Sequence, residues 1–375
     1  MKDNYFCKMD LQGQITGIKY KVFLSEDLQA VEIDKFNINE VSPFCLLRDG
    51  NTSFAVSKWV SPKRTRSYPY ERVYNTLNVS KRITVIPIIK DEGIDGDRDF
   101  LQWDTISLMS LFDVYVIFAY YSEAAKNPDY ENKITNFLFD NQYVVSKIKE
   151  IEQYHSSALH WNLNELKNSL HNVLEKTQEC FARIEKQTKV RLHHQTGIEN
   201  FKNRIGEDLT DFMVFSREKA QKAQTREMLT TQPKERLSSR TKARITITNY
   251  LGGQYFFTVD EISVEKNTVY LIESKHSNRT ILPSKGDIKD GLLKMILYSN
   301  LCEVSIDGKP MKSQAVLNLT SPKINGEITS EVPVWERAGF LLNNNFSQGQ
   351  IRFIDALLDE AVENGFVVKI GGAKW

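Results

Sequence analysis

The feature that most constrains the fold is a run of three successive strand patterns in the C-terminal half of the chain. Residues 243–250 alternate apolar and polar side chains with period two and end at Leu-Gly-Gly, a turn signal. Residues 254–265 and 269–275 also have the composition of strands, and Glu265-Lys-Asn-Thr268 supplies a hairpin turn between them. The sequence therefore predicts that the second and third of these strands pair side by side.

Helical sequence and a further strand flank this pattern. A stretch punctuated by Gly197 and Gly206 precedes it, and residues 288–301 follow it with apolar side chains on adjoining turns. Asp287 is placed to cap that second helix, and residues 314–319 predict another strand. The predicted order along the chain is helix, three strands, helix, strand.

The N-terminal part predicts a second α/β arrangement. Residues 54–60, 83–89 and 114–121 are apolar and β-branched enough for strands, and residues 97–111 fit a helix, which together predict a βαβ-like unit. Residues 143–189 contain no glycine or proline and repeat apolar residues at mostly helical spacing. This segment predicts one or two long helices joining domains.

These patterns predict an α/β protein with four regions. We expect an N-terminal α/β domain at 1–140, a helical connector at 141–195, a core at 196–322 and a C-terminal extension at 323–375 that packs on the core. Within the extension, residues 349–370 predict a helix followed by a strand.

Composition places the chain among ordinary globular proteins. Its 375 residues suffice for two or three domains, and 41% hydrophobic with 26% charged residues is typical of soluble proteins. No apolar run approaches the length of a membrane span, and the N-terminus has no signal-like apolar stretch. Four scattered cysteines favour free thiols in a reducing compartment, so we expect a cytoplasmic protein without a membrane partner. The net charge of +1 neither indicates nor excludes nucleic-acid binding.

Three side chains in the strand pattern point to chemistry. Glu273 and Lys275 are two residues apart on one strand and therefore share a face, and Asp260 lies on the neighbouring strand of the hairpin. Two close carboxylates repel each other unless a cation lies between them, and hard cations such as Mg²⁺, Mn²⁺ or Ca²⁺ take oxygen ligands. A lysine beside them can hydrogen-bond a metal-bound water. That combination suits metal-assisted hydrolysis of a phosphodiester.

Over residues 197–322 the sequence resembles the PD-(D/E)XK nucleases, and type II restriction endonucleases in particular. The resemblance rests on Asp260, on Glu273-Ser-Lys275 and on an αβββαβ order of elements. It implies a restriction-endonuclease-like core in which Asp260, Glu273 and the backbone carbonyl of Ser274 ligate Mg²⁺ and Lys275 positions or activates the water. Val259 stands where many members have proline, a change that is frequent in the family.

The resemblance also implies partners and a further acid. A helix acid before the first strand often contributes in this family, and Glu207 is the best placed, with Glu199 and Asp208 as alternatives. Glu261, next to Asp260, leaves the identity of the first acid open. The implied function is sequence-specific cleavage of double-stranded DNA by a homodimer, with a separately encoded DNA methyltransferase as its partner in a restriction-modification system.

Two other interpretations remain open. A nuclease with the same core could serve repair, phage defence or RNA cleavage. Alternatively, the acid–x–lysine could be a solvent-facing charged pair in a DNA-binding or scaffold protein without catalysis.

A basic, aromatic segment at residues 58–74 is the second functional candidate. Arginine and lysine neutralise phosphates, and aromatic rings stack on bases, so the segment predicts contact with DNA, although it could also be a solvated loop. The candidate residues are Lys58, Lys63, Arg64, Arg66, Tyr68, Tyr70 and Arg72.

An acidic segment at residues 91–104 is the third candidate. Asp95, Asp97 and Asp99 alternate as in a calcium loop, but Phe100 replaces the glycine such a loop requires. The segment could instead be an acid-rich helix start or a second metal site acting on phosphate. The chain has no GxxxxGK[ST] loop and no GxSxG motif, so it predicts neither ATP hydrolysis nor a serine-nucleophile triad.

Overall fold

A computed structural model describes residues 10–24, 28–62, 79, 81–205, 211–214, 216–218, 221 and 241–372. The chain divides into two compact units. One comprises Glu26–Ser216, and the other combines Met1–Ser25 with Arg217–Trp375. We call them the middle unit and the split unit. The mixed α/β class predicted from the sequence is confirmed.

The first strand of the chain, β1 (Asp10–Ile15), belongs to the split unit. The middle unit follows with a five-stranded sheet in the order β2-β3-β4-β5-β8 and two small two-stranded sheets, β6-β7 and β9-β10. Its strands are β2 (Gln29–Glu32), β3 (Phe44–Asp49), β4 (Thr52–Lys58), β5 (Lys81–Pro87), β6 (Ile89–Asp91), β7 (Arg98–Phe100), β8 (Tyr115–Ala119), β9 (Tyr121–Lys126) and β10 (Ile134–Phe139).

The middle unit also contains the short 3-10 helix Ile33–Lys35 and five α-helices whose bounds lie within the described residues. The α-helices are α1 (Trp103–Leu111), α2 (Asn141–Glu152), α3 (Ala158–Asn168), α4 (Leu170–Thr188) and α5 (Thr196–Ile205). The βαβ prediction is confirmed, because β5 and β8 pair parallel with α1 between them in sequence. The predicted helix at 97–111 begins only at Trp103, because residues 98–100 pair as a strand with β6. The segment at 143–189 forms three helices instead of the one or two predicted, since Asp140 and Ser157 each cap a new helix.

The hydrophobic core of the middle unit lies between its sheet and these helices. β8 is buried at every position, and α2, α3 and α4 pack on β8, β5 or β9. Buried side chains from strands and helices join in one cluster, including Phe54, Val85, Ile117, Val144 and Trp161. The helices predicted as a connector thus bury their apolar faces inside this unit.

The split unit is built on a nine-stranded mixed sheet in the order β15-β14-β1-β11-β12-β13-β16-β18-β17. The further strands are β11 (Thr241–Asn249), β12 (Gln254–Glu265), β13 (Thr268–His276), β14 (Cys302–Ile306), β15 (Lys309–Pro310), β16 (Lys312–Thr320), β17 (Glu327–Thr329) and β18 (Val367–Gly371). β11, β12 and β13 are antiparallel neighbours, whereas β13, β16 and β18 run parallel. The three strands predicted from the hairpin pattern are therefore confirmed as adjacent strands.

Three helices accompany this sheet in the described residues: α6 (Lys285–Ser299), α7 (Val334–Asn343) and α8 (Gln348–Glu363). α6 connects β13 to the later strands and packs on β13 and β16. Its cap is Ser284, whose hydroxyl accepts from the Asp287 backbone N–H, so the predicted capping role of Asp287 is wrong. Asp287 lies in the first turn, where its charge still suits the helix dipole.

α6 lies unusually close to the sheet at Gly291. A Cβ added at this glycine would lie 2.7 Å from Leu317 Cδ1 of β16 and 3.4 Å from Lys275 Cε of β13. Contacts under 3.0 Å require something to shift, so the absence of a side chain lets the helix approach. This approach brings the polar side chains of α6 over the end of β13.

No helix in the described ranges is both long and apolar enough to cross a membrane.

Candidate active site

Asp260 lies in a β-bulge of β12. Val259 pairs with Ala243 and Ile262 with Thr241, so Asp260 and Glu261 together stand opposite a single residue of β11. Bulges bend a strand and redirect a side chain, and they are frequent beside active sites. On the other side, Glu261 pairs with Ile272, a register that places Asp260 across from Glu273 on β13. The exposed Asp260 carboxylate accepts a hydrogen bond from the Ser274 backbone N–H at 3.1 Å.

Glu273 is the centre of the site. It is only 1% exposed, because α6 and the neighbouring strands cover it. Its Oε1 lies 3.0 Å from Lys275 Nζ, and its Oε2 lies 2.7 Å from Lys294 Nζ on α6. A buried carboxylate is costly unless it is paired, and here both oxygens have an ammonium partner.

Asp290, on α6, forms an ion pair with Lys275 of β13 and so links this helix to the strand. Its Oδ2 accepts a hydrogen bond from Lys275 Nζ at 2.6 Å, so Lys275 is held between Glu273 and Asp290. Asp290 and Lys294 are four residues apart on α6 and therefore share one face of the helix. The two β13 residues and the two α6 residues form a chain of alternating charges, Lys294–Glu273–Lys275–Asp290.

The pKa values of these groups shift in a consistent way. Burial raises the pKa of the Glu273 carboxyl, and nearby Asp260 adds to the rise while Lys294 and Lys275 oppose it. Burial lowers the pKa of Lys294, but Glu273 and Asp260 outweigh burial and leave it above its ordinary value. The pKa of Lys275 is likewise raised, because Glu273 and Asp290 outweigh burial. Both lysines are therefore fully charged at neutral pH.

The donor set fits a hard divalent cation. Asp260 lies close enough to Glu273 to contribute to the raised pKa of the Glu273 carboxyl, and repulsion between two carboxylates is the condition that a cation relieves. Among the described residues no group of three or more His, Cys, Asp or Glu side chains is arranged to hold a metal. Mg²⁺ does not require one, since it often uses one or two carboxylates and keeps several waters. The fit is thus to a cation bound by two carboxylates, a backbone carbonyl such as that of Ser274, and water.

Two further questions about the predicted acids concern the helix acid and the choice between Asp260 and Glu261 as the first acid. Glu207 and Asp208, proposed as the helix acid, lie outside the described residues, and Glu199 belongs to α5 of the middle unit. Glu261 is partly buried next to Asp260, but it is Asp260 whose carboxylate contacts the Ser274 N–H and affects the pKa of Glu273. This favours Asp260 as the first acid.

Most of the basic, aromatic segment also lies outside the described residues. Of its candidate residues, Lys58 is described. The others lie outside the described residues: Lys63, Arg64, Arg66, Tyr68, Tyr70 and Arg72. The Lys58 amine donates to the Ile38 carbonyl at 2.5 Å, and burial lowers its pKa. Lys58 also lines a cavity whose walls include Trp59, Tyr121, Phe137 and Phe139.

The acidic segment distributes its charges over separate partners. Asp91 is buried and contacts the backbone N–H and Nδ1 of His193, while Asp104 accepts from Ser216 Oγ. Asp99 accepts from Ser61 Oγ, and Asp95 accepts from Asn132. These contacts tie loops together inside the middle unit, and within the described ranges the segment contributes to no metal-binding group.

Sequence reasoning missed Asp290 and Lys294. The available signal was their spacing of four residues on the helix that follows the acid–x–lysine strand. That spacing is common on helices and does not by itself indicate a site. The two side chains reach Lys275 and Glu273 because α6 lies close to the sheet at Gly291.

Comparisons with protein-family models, with curated proteins and with solved structures found no match to this chain.

Proposed function

We propose that this protein is a Mg²⁺-dependent endonuclease of the PD-(D/E)XK type that cleaves double-stranded DNA at specific sequences, as type II restriction endonucleases do. The observation that carries the proposal is the buried Glu273 carboxylate, which lies across from Asp260 and is contacted by Lys275. The arrangement β11-β12-β13 antiparallel, followed by α6 and a parallel β16, agrees with the order of elements in that family.

The chain's own residues divide the chemistry between them. Asp260 and Glu273 would hold the cation, with the Ser274 carbonyl as a further ligand. A bound Mg²⁺ would lower the pKa of a coordinated water and stabilise negative charge on the phosphate. Lys275, held at 2.6 Å by Asp290, would donate a hydrogen bond from Nζ to orient the attacking water. Asp290 is thus a positioning residue for Lys275.

The partners belong to the same proposal. Cutting two antiparallel strands calls for two active sites related by twofold symmetry, so we propose a homodimer. The undescribed part of segment 58–74 would contact the DNA backbone, and a separately encoded methyltransferase would protect the host DNA. A nuclease acting in repair, phage defence or on RNA would use the same residues, and only the substrate that it cuts distinguishes it.

One observation favours a non-enzymatic alternative. Both Glu273 oxygens are already paired with lysines, which is also what a structural charge network in a DNA-binding or scaffold protein requires. Such a protein would show no cation-dependent cleavage of any nucleic acid.

The deciding experiment incubates the purified protein with plasmid or phage DNA and Mg²⁺ and maps any ends. We expect discrete ends at fixed positions, and Lys275→Ala should lower the cleavage rate by roughly 10²–10⁴-fold because the water loses its orienting group. DNA binding, measured by a gel-shift assay, should remain close to that of the native protein.

The matched control is Lys285→Ala, which removes one positive charge from the exposed start of α6. It should cleave like the native protein. Equal cleavage by Lys275→Ala, or the absence of cleavage of DNA and RNA by the native protein, would contradict the proposal.

A further inference from the structure

The second lysine of the site has no role in the mechanism above, yet it makes the shorter of the two contacts with Glu273. Lys294 Nζ lies 2.7 Å from Glu273 Oε2 and 3.5 Å from the Thr258 carbonyl of β12. Its side chain is 22% exposed, so it is mostly withdrawn from water. A lysine desolvated to this degree is costly, and its pKa stays raised because Glu273 and Asp260 compensate for burial.

The charges of the site are almost balanced without any cation. Counted as formal charges, Asp260, Glu273 and Asp290 contribute three negative charges, and Lys275 and Lys294 contribute two positive ones, which leaves one net negative charge. One divalent cation would turn this into one net positive charge. A phosphodiester, with its single negative charge, would then bring the site to neutrality.

Lys294 also competes with a cation for the same atom. A carboxylate oxygen that ligates a divalent cation cannot keep an ammonium group 2.7 Å away without strong repulsion between the two positive charges. Lys275 contacts the other oxygen, Oε1, and is held in place by Asp290, so a cation that leaves Lys275 in position takes Oε2 and requires Lys294 to move away from it. Once released, the ammonium group needs another anion, and the phosphate of a bound substrate supplies one.

We infer that Lys294 acts as an internal counter-cation that weakens cation binding in the free protein and couples it to binding of the substrate phosphate. The inference rests on the proposed function and adds a regulatory property to the same site. By reciprocity, substrate should tighten cation binding by the same factor as the cation tightens substrate binding. The site would thus assemble fully only when both are present.

The test measures Ca²⁺ binding by isothermal titration calorimetry, with and without a linear plasmid fragment that carries one mapped cleavage position. For the native protein, we expect the DNA to tighten Ca²⁺ binding, and gel analysis should confirm that the fragment stays intact. Lys294→Gln removes the charge but keeps a hydrogen-bond donor. In this variant Ca²⁺ should bind about tenfold more tightly without DNA, equivalent to about 1.4 kcal/mol, and the DNA should improve binding much less.

Two control variants separate this effect from general changes. Lys294→Arg keeps the charge and should retain the native Ca²⁺ affinity and the native effect of DNA. Lys285→Gln removes one charge from the same helix away from Glu273 and should also behave like the native protein. Thermal unfolding of each variant verifies that it is folded before titration.

The outcomes distinguish the two proposals. Unchanged or weaker Ca²⁺ binding by Lys294→Gln, or an equal gain in Lys285→Gln, would overturn the role of Lys294 while leaving the nuclease proposal standing. If the native protein binds no Ca²⁺ even in the presence of the DNA, or if its Ca²⁺ binding is indifferent to Asp260→Asn, then the proposed cation site itself fails.

Discussion

Glu273 and Glu360 are two buried glutamates of the split unit, with 1% and 0% exposure. The hydrogen-bond donors to Glu273 are charged, whereas those to Glu360 are neutral. Glu273 is contacted by two ammonium groups. Glu360, on α8, accepts from the Tyr20 hydroxyl at 2.6 Å and from the backbone N–H groups of Phe23 and Leu24 at 3.1 and 3.4 Å.

The difference separates an anchor from a candidate binding site. The donors to Glu360 belong to a segment more than 330 positions away in sequence, and they hold that N-terminal segment against α8. A cation could replace them only if the segment detached. At Glu273 the partners are ammonium groups on flexible lysine side chains, so a cation of higher charge can replace Lys294 on Oε2 without breaking a strand or helix. Burial alone therefore does not distinguish the two carboxylates, whereas the kind of partner makes Glu273 the candidate cation ligand of the proposed function.

The largest expected effect comes from the same substitution made at both positions. Glu273→Gln should weaken Ca²⁺ or Mn²⁺ binding by more than about 100-fold, since it removes a proposed ligand and outer-shell changes alone typically cost 10–100-fold. Glu360→Gln should leave the cation affinity unchanged. Titration calorimetry of both variants checks this, and a loss of affinity in both would break the distinction drawn here.

Much of the fold around Glu273 could be predicted from the sequence, because the signals are local. Residues 254–265 form β12 as predicted, and the hairpin brings Asp260 and Glu273 together through neighbouring strands. The non-local parts could not be predicted. The pairing of β1 with β11 joins segments about 230 residues apart, and no short-range pattern specifies it.

The site shows the same limit. Glu273 and Lys275 share a face of β13, which period-two alternation indicates, and the hairpin pairing brings Asp260 of β12 next to them. Lys294 and Asp290 lie on a helix, and their contact with β13 depends on how closely two layers pack. Glu360 was not singled out because its donors come from the opposite end of the chain.

A smaller effect is expected on the stability of the anchor. In Glu360→Gln the amide oxygen can still accept from the N–H groups of Phe23 and Leu24, but the NH₂ group then faces the Tyr20 hydroxyl, which loses its carboxylate acceptor. The free energy of unfolding should fall by about 1–3 kcal/mol. Urea unfolding monitored by circular dichroism measures the change.

Glu363→Gln is the matched control for the anchor. Glu363 lies about one helical turn after Glu360 on α8, and its Oε1 is 3.3 Å from Lys21 Nζ. Both of these side chains are about half exposed or more. Removing this surface ion pair should change stability by less than about 1 kcal/mol. If the two substitutions cost the same, the Glu360 contacts are not the anchor proposed.

The smallest effect is expected for a substitution in α6, the helix that carries Lys294, one of the two lysines paired with Glu273. Gly291→Ala would place a methyl group 2.7 Å from Leu317 Cδ1 and against the stem of Lys275. Because Leu317 is fully buried, α6 must move outward slightly, and the overpacking cost of about 1–3 kcal/mol should exceed the gain of up to about 1 kcal/mol in helix propensity. The same movement draws Asp290 and Lys294 away from β13, so cleavage should decline together with stability.

Gly286→Ala provides the comparison on the same helix, since the nearest atom to its added Cβ is Ser284 Oγ at 3.8 Å. Replacing this glycine should stabilise the protein by up to about 1 kcal/mol through helix propensity and leave cleavage unchanged. Opposite signs for the two glycines would tie the Glu273 cluster to the closeness of α6. A Gly291→Ala variant with native stability and native cleavage would show that the cluster tolerates a shifted helix, and that the approach at Gly291 does not position its charges.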